Sequence, residues 1–198
     1  FLRDPHSYEK VRASGGDKKS VLMRDLAYTL NWRPSVEQLP LGRRRIGLSF
    51  FRYYKYVNPN EEKDAKFVLE VESLIFQLLQ NSNSVIYLFA FQGQAGNRDN
   101  EFAEYLRSTI SKERIVVVSS SVSPRDHFDL ISQMDICLGM RYHFVLFAVA
   151  SAIPVVAIEY SVKVAREMEL CALSQYGLAL VDFSATKAMT LLAKASAD

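Results

Sequence analysis

A guanidinium and an imidazole stand two residues apart in Arg141-Tyr142-His143, between an apolar run ending at Leu138 and another beginning at Phe144. On a continuous helix such residues point away from each other. In an extended turn between a strand and a helix, residues two apart can face the same side, so Arg141 and His143 could converge on one ligand with Tyr142 turned inward. Arginine offers a planar fork that suits phosphate or carboxylate, and histidine transfers a proton near neutral pH. The same residues could equally be structural, with Arg141 paired to a carboxylate such as Asp135 and His143 bonded to a backbone carbonyl. Two further cations fall at comparable places. Arg52 follows the apolar segment Ile46–Phe50, and Lys163 lies in the first turn of an expected helix. A cation is unfavourable there against the helix dipole, which points to an anionic partner; for both, a solvated surface role is the plain alternative. His127, within Pro124-Arg125-Asp126-His127, reads as an exposed helix residue, His6 as structural, and Arg43-Arg44-Arg45 as a solvated linker.

The surrounding pattern must hold these groups in place. From Ile46 onward short β-branched runs alternate with helical periodicity. Strands are expected at Ile46–Phe50, Val85–Phe91, Ile115–Val118, Ile136–Leu138, Pro154–Ile158 and Leu178–Val181. Helices are expected at Glu61–Gln80, Asn100–Ile110, Pro124 to about Met134, Tyr142–Ala152, Val162–Leu173 and from Ser184 onward. Unbroken apolar strands alternating with helices imply an α/β fold, a Rossmann-like parallel sheet with helices on both faces. In such a sheet, ligands bind outside the carboxyl ends of the strands. That rule selects the segments after Ser49, Ala90, Gly139 and Glu159, and three of the four carry a cation or an imidazole. Helix N-termini line the same edge and favour anions. Gly93-Gln94-Ala95-Gly96 lacks the three-glycine spacing of a dinucleotide fingerprint, and no Walker A loop is present.

Ahead of this domain, Asp4 and Pro5 can start a helix that Gly15-Gly16 ends. Residues 31–45 carry Pro34, Pro40 and Gly42 without periodicity. The chain opens on Phe1-Leu2-Arg3-Asp4. The expected division is therefore residues 1–45 as the end of a truncated preceding part plus linker, and residues 46–198 as a domain of its own.

Composition narrows the function classes. The chain has 198 residues, 49% hydrophobic and 23% charged, with a formal net charge of +2, which suits a globular domain and is too balanced for a dedicated nucleic-acid binder. The uncharged run Phe144–Ile158 contains Pro154 and falls short of the roughly 20 apolar residues of a membrane span; it reads as a buried helix followed by a buried strand. Two cysteines, Cys137 and Cys171, each in apolar sequence, exclude a disulfide scaffold and suit a reducing, cytoplasmic setting. The three histidines are scattered, with no metal-ligand spacing, so no metal or other cofactor is expected.

Several blocks together resemble the polysaccharide pyruvyl transferase family. Met134-Asp135-Ile136-Cys137-Leu138-Gly139-Met140-Arg141-Tyr142-His143, then Phe147-Ala148 and Ile153-Pro154-Val155-Val156-Ala157-Ile158, are similar to that family's Gly-Met-Arg-Leu-His stretch, apolar helix and Gly-Ile-Pro-Val-Val strand. Arg3-Asp4 with Ser7 resembles its Arg-Asp-x-x-Ser segment, and Asp25-Leu26-Ala27-Tyr28 its Asp-Pro-Ala-Phe segment. Three departures stand out. Tyr142 replaces Leu at a position expected to pack inward, and Ala152 stands where the family has Gly. Tyr160-Ser161-Val162-Lys163 replaces Tyr-Asp-Pro-Lys, with Ser161 able to cap the helix where Asp would.

The resemblance implies a two-lobed, glycosyltransferase-B-like (GT-B-like) transferase of polysaccharide biosynthesis, with residues 1–45 as the tail of a truncated N-terminal lobe plus linker and residues 46–198 as the C-terminal, donor-binding lobe. Such an enzyme moves a pyruvyl group from phosphoenolpyruvate to a sugar, or lipid-linked saccharide, as a ketal. It implies donor contacts from Arg141, His143, Lys163 and, less directly because one extra residue intervenes, Arg52, with His143 as the proton shuttle. Two other functions compete. One is a nucleotide-sugar glycosyltransferase of the same architecture, in which Glu159 or Glu167 would hold a ribose. The other is a non-catalytic lobe that binds anionic glycans or a partner protein.

Overall fold

The computed structural model describes residues 5–16, 20–23, 25, 28, 36–93 and 98–197. The chain divides into two compact units, Phe1–Arg33 and Pro34–Asp198.

Helix α1 (Pro5–Ala13) lies in the first unit and buries none of its own residues. Pro5 suits its first position because the ring presets a helical φ. Gly15 ends it at φ +78°, a left-handed turn that costs glycine little, and the Gly16 N–H donates to the Val11 carbonyl at 2.9 Å. The expected cap Asp4, the neighbouring Arg3, and Leu26-Ala27 lie outside the described residues.

The second unit is built on six strands: β1 (Arg44–Ser49), β2 (Ser84–Phe89), β3 (Ile115–Val118), β4 (Ile136–Gly139), β5 (Val155–Glu159) and β6 (Gly177–Ala179). Their order is β3-β2-β1-β4-β5-β6, and every neighbouring pair is parallel. Successive strands run outward one way from β1 and the other way from β4, so the chain reverses direction between these two central strands. That switch point is where an open α/β sheet leaves a crevice at its carboxyl edge.

The connecting helices are α2 (Tyr53–Tyr56), α3 (Glu61–Leu79), α4 (Asp99–Ile110), α5 (Pro124–Ile131), α6 (Tyr142–Ala150), α7 (Val162–Leu170) and α8 (Ala185–Ala195). Helix α3 packs against α4 and α8, and α6 against α5 and α7, which covers both faces as expected. Their starts follow capping rules. Asn60, Ser123 and Ser184 each accept a first-turn backbone N–H with the side chain. Helix α6 buries Phe144 through Ala148 and β5 buries Val155 through Ile158, so the long apolar run is helix plus strand. Between them Ala152 takes φ +55°. This is the left-handed conformation that the family's glycine would adopt without strain.

Three readings of the sequence need correction. Arg44 and Arg45 are not linker but the first two residues of β1, paired in register with Ser84 and Val85. Asp135 is held by the Arg45 backbone N–H at 2.6 Å and the Arg45 guanidinium at 3.4 Å, which removes it as a partner for Arg141. His127 is buried, 3% exposed, with its ring beside Phe89 and Phe91. Phe144 and Phe147 complete that aromatic cluster, and burial of these rings outweighs hydration of one imidazole.

His127 Nδ1 lies 3.2 Å from the Val122 and Ser123 carbonyls, and Nε2 3.2 Å from that of Ala90. Burial nonetheless holds its pKa below the usual histidine value. A base whose folded pKa is depressed loses stabilising effect as pH falls, because the unfolded chain then binds the proton more readily. The wild type should therefore lose stability relative to His127→Gln as pH falls below about 6.5. Thermal unfolding midpoints of both proteins measured from about pH 7.5 down to 5 test this; parallel curves would refute it.

Candidate functional site

The carboxyl ends of β1, β4 and β5 lie side by side at the switch point. Phe50-Phe51-Arg52 leaves β1, Met140-Arg141-Tyr142-His143 leaves β4, and Tyr160-Ser161-Val162-Lys163 leaves β5. Adjacent strands are about 4.8 Å apart, so the topology gathers the four expected site residues along one short stretch of a single edge. Gly139 makes the turn after β4 compact: a Cβ there would lie 2.5 Å from the Phe144 ring. The Met140 N–H extends the ladder to the Ser49 carbonyl at 2.8 Å.

Arg141 occupies the N-cap position of α6 in extended conformation, and its side chain folds down and is 8% exposed. Its guanidinium lies 3.9 Å from the Phe51 ring centroid. Nε donates to Asp99 Oδ2 at 2.9 Å and Nη2 to Asp99 Oδ1 at 2.5 Å. Asp99, the first residue of α4, is wholly buried. Its Oδ2 also accepts the backbone N–H groups of Phe91 and Gln92 at 3.1 Å each. One carboxylate thus ties the segment after β2 to the arginine after β4. The expected structural partner, Asp135, is replaced by Asp99, 42 positions away in sequence. Arg141 is also more enclosed than an arginine simply facing an open cleft. Its Nη1 makes no hydrogen bond among the described residues, and it is not among the orphaned buried polar atoms. The guanidinium therefore keeps a second donor edge beyond the one Asp99 occupies.

The other expected residues differ in setting. His143 is exposed in the first turn of α6, its ring near those of Tyr142 and Phe147. Lys163 is exposed at the second position of α7 and makes no ion pair among the described residues. Arg52 is committed elsewhere. Its Nη2 and Nε both bond Asp64 of α3, Nε at 3.2 Å, and its guanidinium lies 6.0 Å from the Phe102 ring centroid. Tyr142 is half-buried rather than simply turned into the core, and its hydroxyl donates to Glu167 Oε2 of α7 at 2.9 Å. Ser161 takes the N-cap position of α7 without a side-chain cap bond, contrary to expectation. Helices α6 and α7 therefore both present N-terminal N–H groups to this edge without side-chain caps, a setting that favours an anion. Of the acidic residues considered for ribose binding, Glu159 is partly buried, and desolvation pushes its pKa above the usual carboxylate value. Glu167 is buried and engaged by Tyr142.

Two cavities lie elsewhere. One of about 230 Å³ is bordered by Tyr54, Lys63, Phe67 and Phe183, and one of about 360 Å³ by Val149, Pro154 and Tyr176; none of the four expected residues lines either. Among the described residues no helix is long and apolar enough to cross a membrane.

A family model described as polysaccharide pyruvyl transferase matches residues 1–162, which include the whole Arg141–His143 turn. The chain belongs to the polysaccharide pyruvyl transferase family. No curated protein sequence matches it. Among solved structures, the E. coli ADP-heptose LPS heptosyltransferase II aligns with a TM-score of 0.57 at 14% identity, over 80% of this chain and 48% of that one. A Listeria monocytogenes protein assigned as a UDP-N-acetylglucosamine 2-epimerase aligns at 0.62 and 12% identity, over 96% of this chain and 50% of that one. These likenesses show the GT-B-like fold, and this polysaccharide pyruvyl transferase family member spans about half the length of the structures it matches.

Proposed function

We propose that this chain supplies the donor-binding lobe of an enzyme that transfers a pyruvyl group from phosphoenolpyruvate to a saccharide as a ketal. The observation that carries the reading is the Arg141 guanidinium, braced by Asp99 on one edge and Phe51 on one face. Its remaining edge is set at the switch point beside two uncapped helix N-termini. A fork already fixed in place loses little freedom when it binds, so its full charge-assisted bonding goes to the carboxylate or phosphate of the donor.

Lys163 is the second anion contact, and Arg52, already paired with Asp64, contributes mainly field at the rim. The chemistry then needs one mobile proton. A first sugar hydroxyl adds to C2 of the enol as its methylene gains a proton and becomes methyl. A second hydroxyl then displaces phosphate from C2, and its proton leaves with the phosphate. His143, exposed at the same edge, is the group to carry protons between hydroxyl and methylene. The acceptor is a sugar or lipid-linked saccharide, and the setting is the cytoplasm. The same proposal assigns the residues ahead of β1 to the other lobe and a linker, and those from β1 (Arg44–Ser49) onward to the donor-binding lobe.

Calorimetric titration separates the readings. Phosphoenolpyruvate is expected to bind, and ADP- or UDP-sugars are not. Tight binding of a nucleotide sugar, with none of phosphoenolpyruvate, would replace this proposal with a glycosyltransferase. Binding of neither small molecule would favour a lobe that only holds glycans or a partner protein.

A further inference from the structure

The ring of Phe51, just after β1, is shared by groups from three strand ends. The Arg141 guanidinium lies 3.9 Å from its centroid. Tyr53 and Tyr160 meet it edge to face, their ring centroids 6.1 and 4.9 Å away at interplanar angles of 74° and 79°. The two tyrosine rings also lie 5.8 Å apart at 57°, although one opens α2 and the other follows β5. Phe51 itself is buried, 2% exposed. The tyrosines stay half-buried, and neither hydroxyl makes a hydrogen bond among the described residues. A half-exposed ring with a wet hydroxyl is the arrangement found where an apolar face and a polar tip both meet a partner. No cation lies over either tyrosine ring among the described residues. An anion finds its contacts at Arg141 and Lys163, so the occupant that suits the tyrosine pair is uncharged.

We propose that Tyr53 and Tyr160 form a sugar platform, on which a neutral pyranose lays its C–H face with its hydroxyls toward the Arg141 guanidinium. A pyranose matches the pair chemically. The C–H bonds on one face of the ring carry slight positive charge and meet the negative face of an aromatic ring, while the hydroxyls at its rim can bond the two phenols. The platform also meets a geometric need of ketal formation. Two hydroxyls of one sugar must reach a single carbon, so the sugar has to be held at a fixed tilt and not merely nearby. Two rings set at an angle to each other fix both height and tilt. That this sugar accepts the pyruvyl group rests on the reading of Arg141 as the donor contact; that a sugar lies on the tyrosines does not.

The probe is methyl β-D-glucopyranoside, with glycerol as a polyol that lacks a ring face. In the unaltered chain, tyrosine nitration by tetranitromethane is followed peptide by peptide with mass spectrometry. At about four times its dissociation constant, measured by saturation-transfer NMR, the glycoside should slow nitration of Tyr53 and Tyr160 about fivefold, as occupancy of one site requires. Tyr105, 46% exposed on α4, should react at an unchanged rate, and glycerol should protect none of the three. Tyr53→Leu and Tyr160→Leu should each weaken glycoside binding by about two- to tenfold. Tyr53→Phe and Tyr160→Phe should stay within about threefold, since they keep the ring and lose one hydrogen bond. Failure of the glycoside to protect both tyrosines, or equal protection of Tyr105, overturns the inference, as do leucine variants that bind as the wild type does. Phosphoenolpyruvate is titrated alongside. If the glycoside protects the pair while phosphoenolpyruvate does not bind, the platform stands and its role in pyruvyl transfer fails. If phosphoenolpyruvate binds and the glycoside does not, the platform falls and the donor reading is untouched.

Discussion

An Asp99→Ala protein is expected to be less stable than wild type by about 3–5 kcal/mol, the cost of leaving one member of a buried ion pair alone. In a domain of this size that corresponds to a fall of about 6–20 °C in the unfolding midpoint. The reason is specific to the site. Asp99 is wholly buried and accepts two backbone N–H groups besides both bonds from Arg141. Its removal leaves a guanidinium that is itself 8% exposed facing an emptied pocket. Arg141→Ala should destabilise as well, since it leaves the carboxylate with the backbone groups of Phe91 and Gln92. The double variant should recover part of the loss, because no unpaired charge then remains, and a double-mutant cycle would read the coupling directly. Phosphoenolpyruvate affinity should fall in all three, by an amount equivalent to about 1.5–3 kcal/mol for a lost charge-assisted bond. If Asp99→Ala melted within a degree or two of wild type, the brace would be a minor contact. The donor site would then lack the rigid arginine on which it depends.

Replacing His143 should do the opposite. The residue is exposed, so His143→Ala is expected to melt close to the wild type. Its turnover, assayed with phosphoenolpyruvate and a saccharide acceptor in a protein carrying both lobes, should drop by about 10²–10⁴-fold, the range for loss of a general acid–base group. Donor affinity should change far less, since the guanidinium and the helix N-termini stay in place. Turnover within about tenfold of the parent would remove His143 from proton transfer and shift that role to another group on the same edge, such as Glu159, whose pKa burial raises.

The paired contrast, one variant losing mainly stability and the other mainly turnover, reflects how differently two residues of one short turn are held. Arg141 is part of the packed interior and works from it. His143 lies one helical step further, on the solvent side. Spacing alone placed both residues just after β4, and the structure has Arg141 at the N-cap of α6 and His143 in its first turn. It could not distinguish their burial, because burial depends on which side chains arrive from α4 and from the end of β1.

What the amino-acid sequence determined by itself is the frame. Six apolar β-branched runs and the helices between them specify a parallel sheet, since such strands are buried on both faces and need covering on each. The alternation also selects the carboxyl edge as the place for a site, and the Gly139-to-His143 block carries the family. Local capping signals at Asn60, Ser123 and Ser184 worked for the same reason: a cap and its N–H groups are neighbours in the chain. Only the tertiary structure decided the polar partners. Arg141 bonds Asp99 across 42 positions, Arg45 takes Asp135 across 90, and Tyr142 reaches Glu167 across 25. Each pairing depends on which strands the fold makes neighbours, and no short-range pattern encodes that. His127 illustrates the same limit. Its helical position reads as exposed, yet Phe89 of β2 and Phe91 just after it lie against the ring, because aromatic burial between elements outweighs the local preference of one imidazole for water.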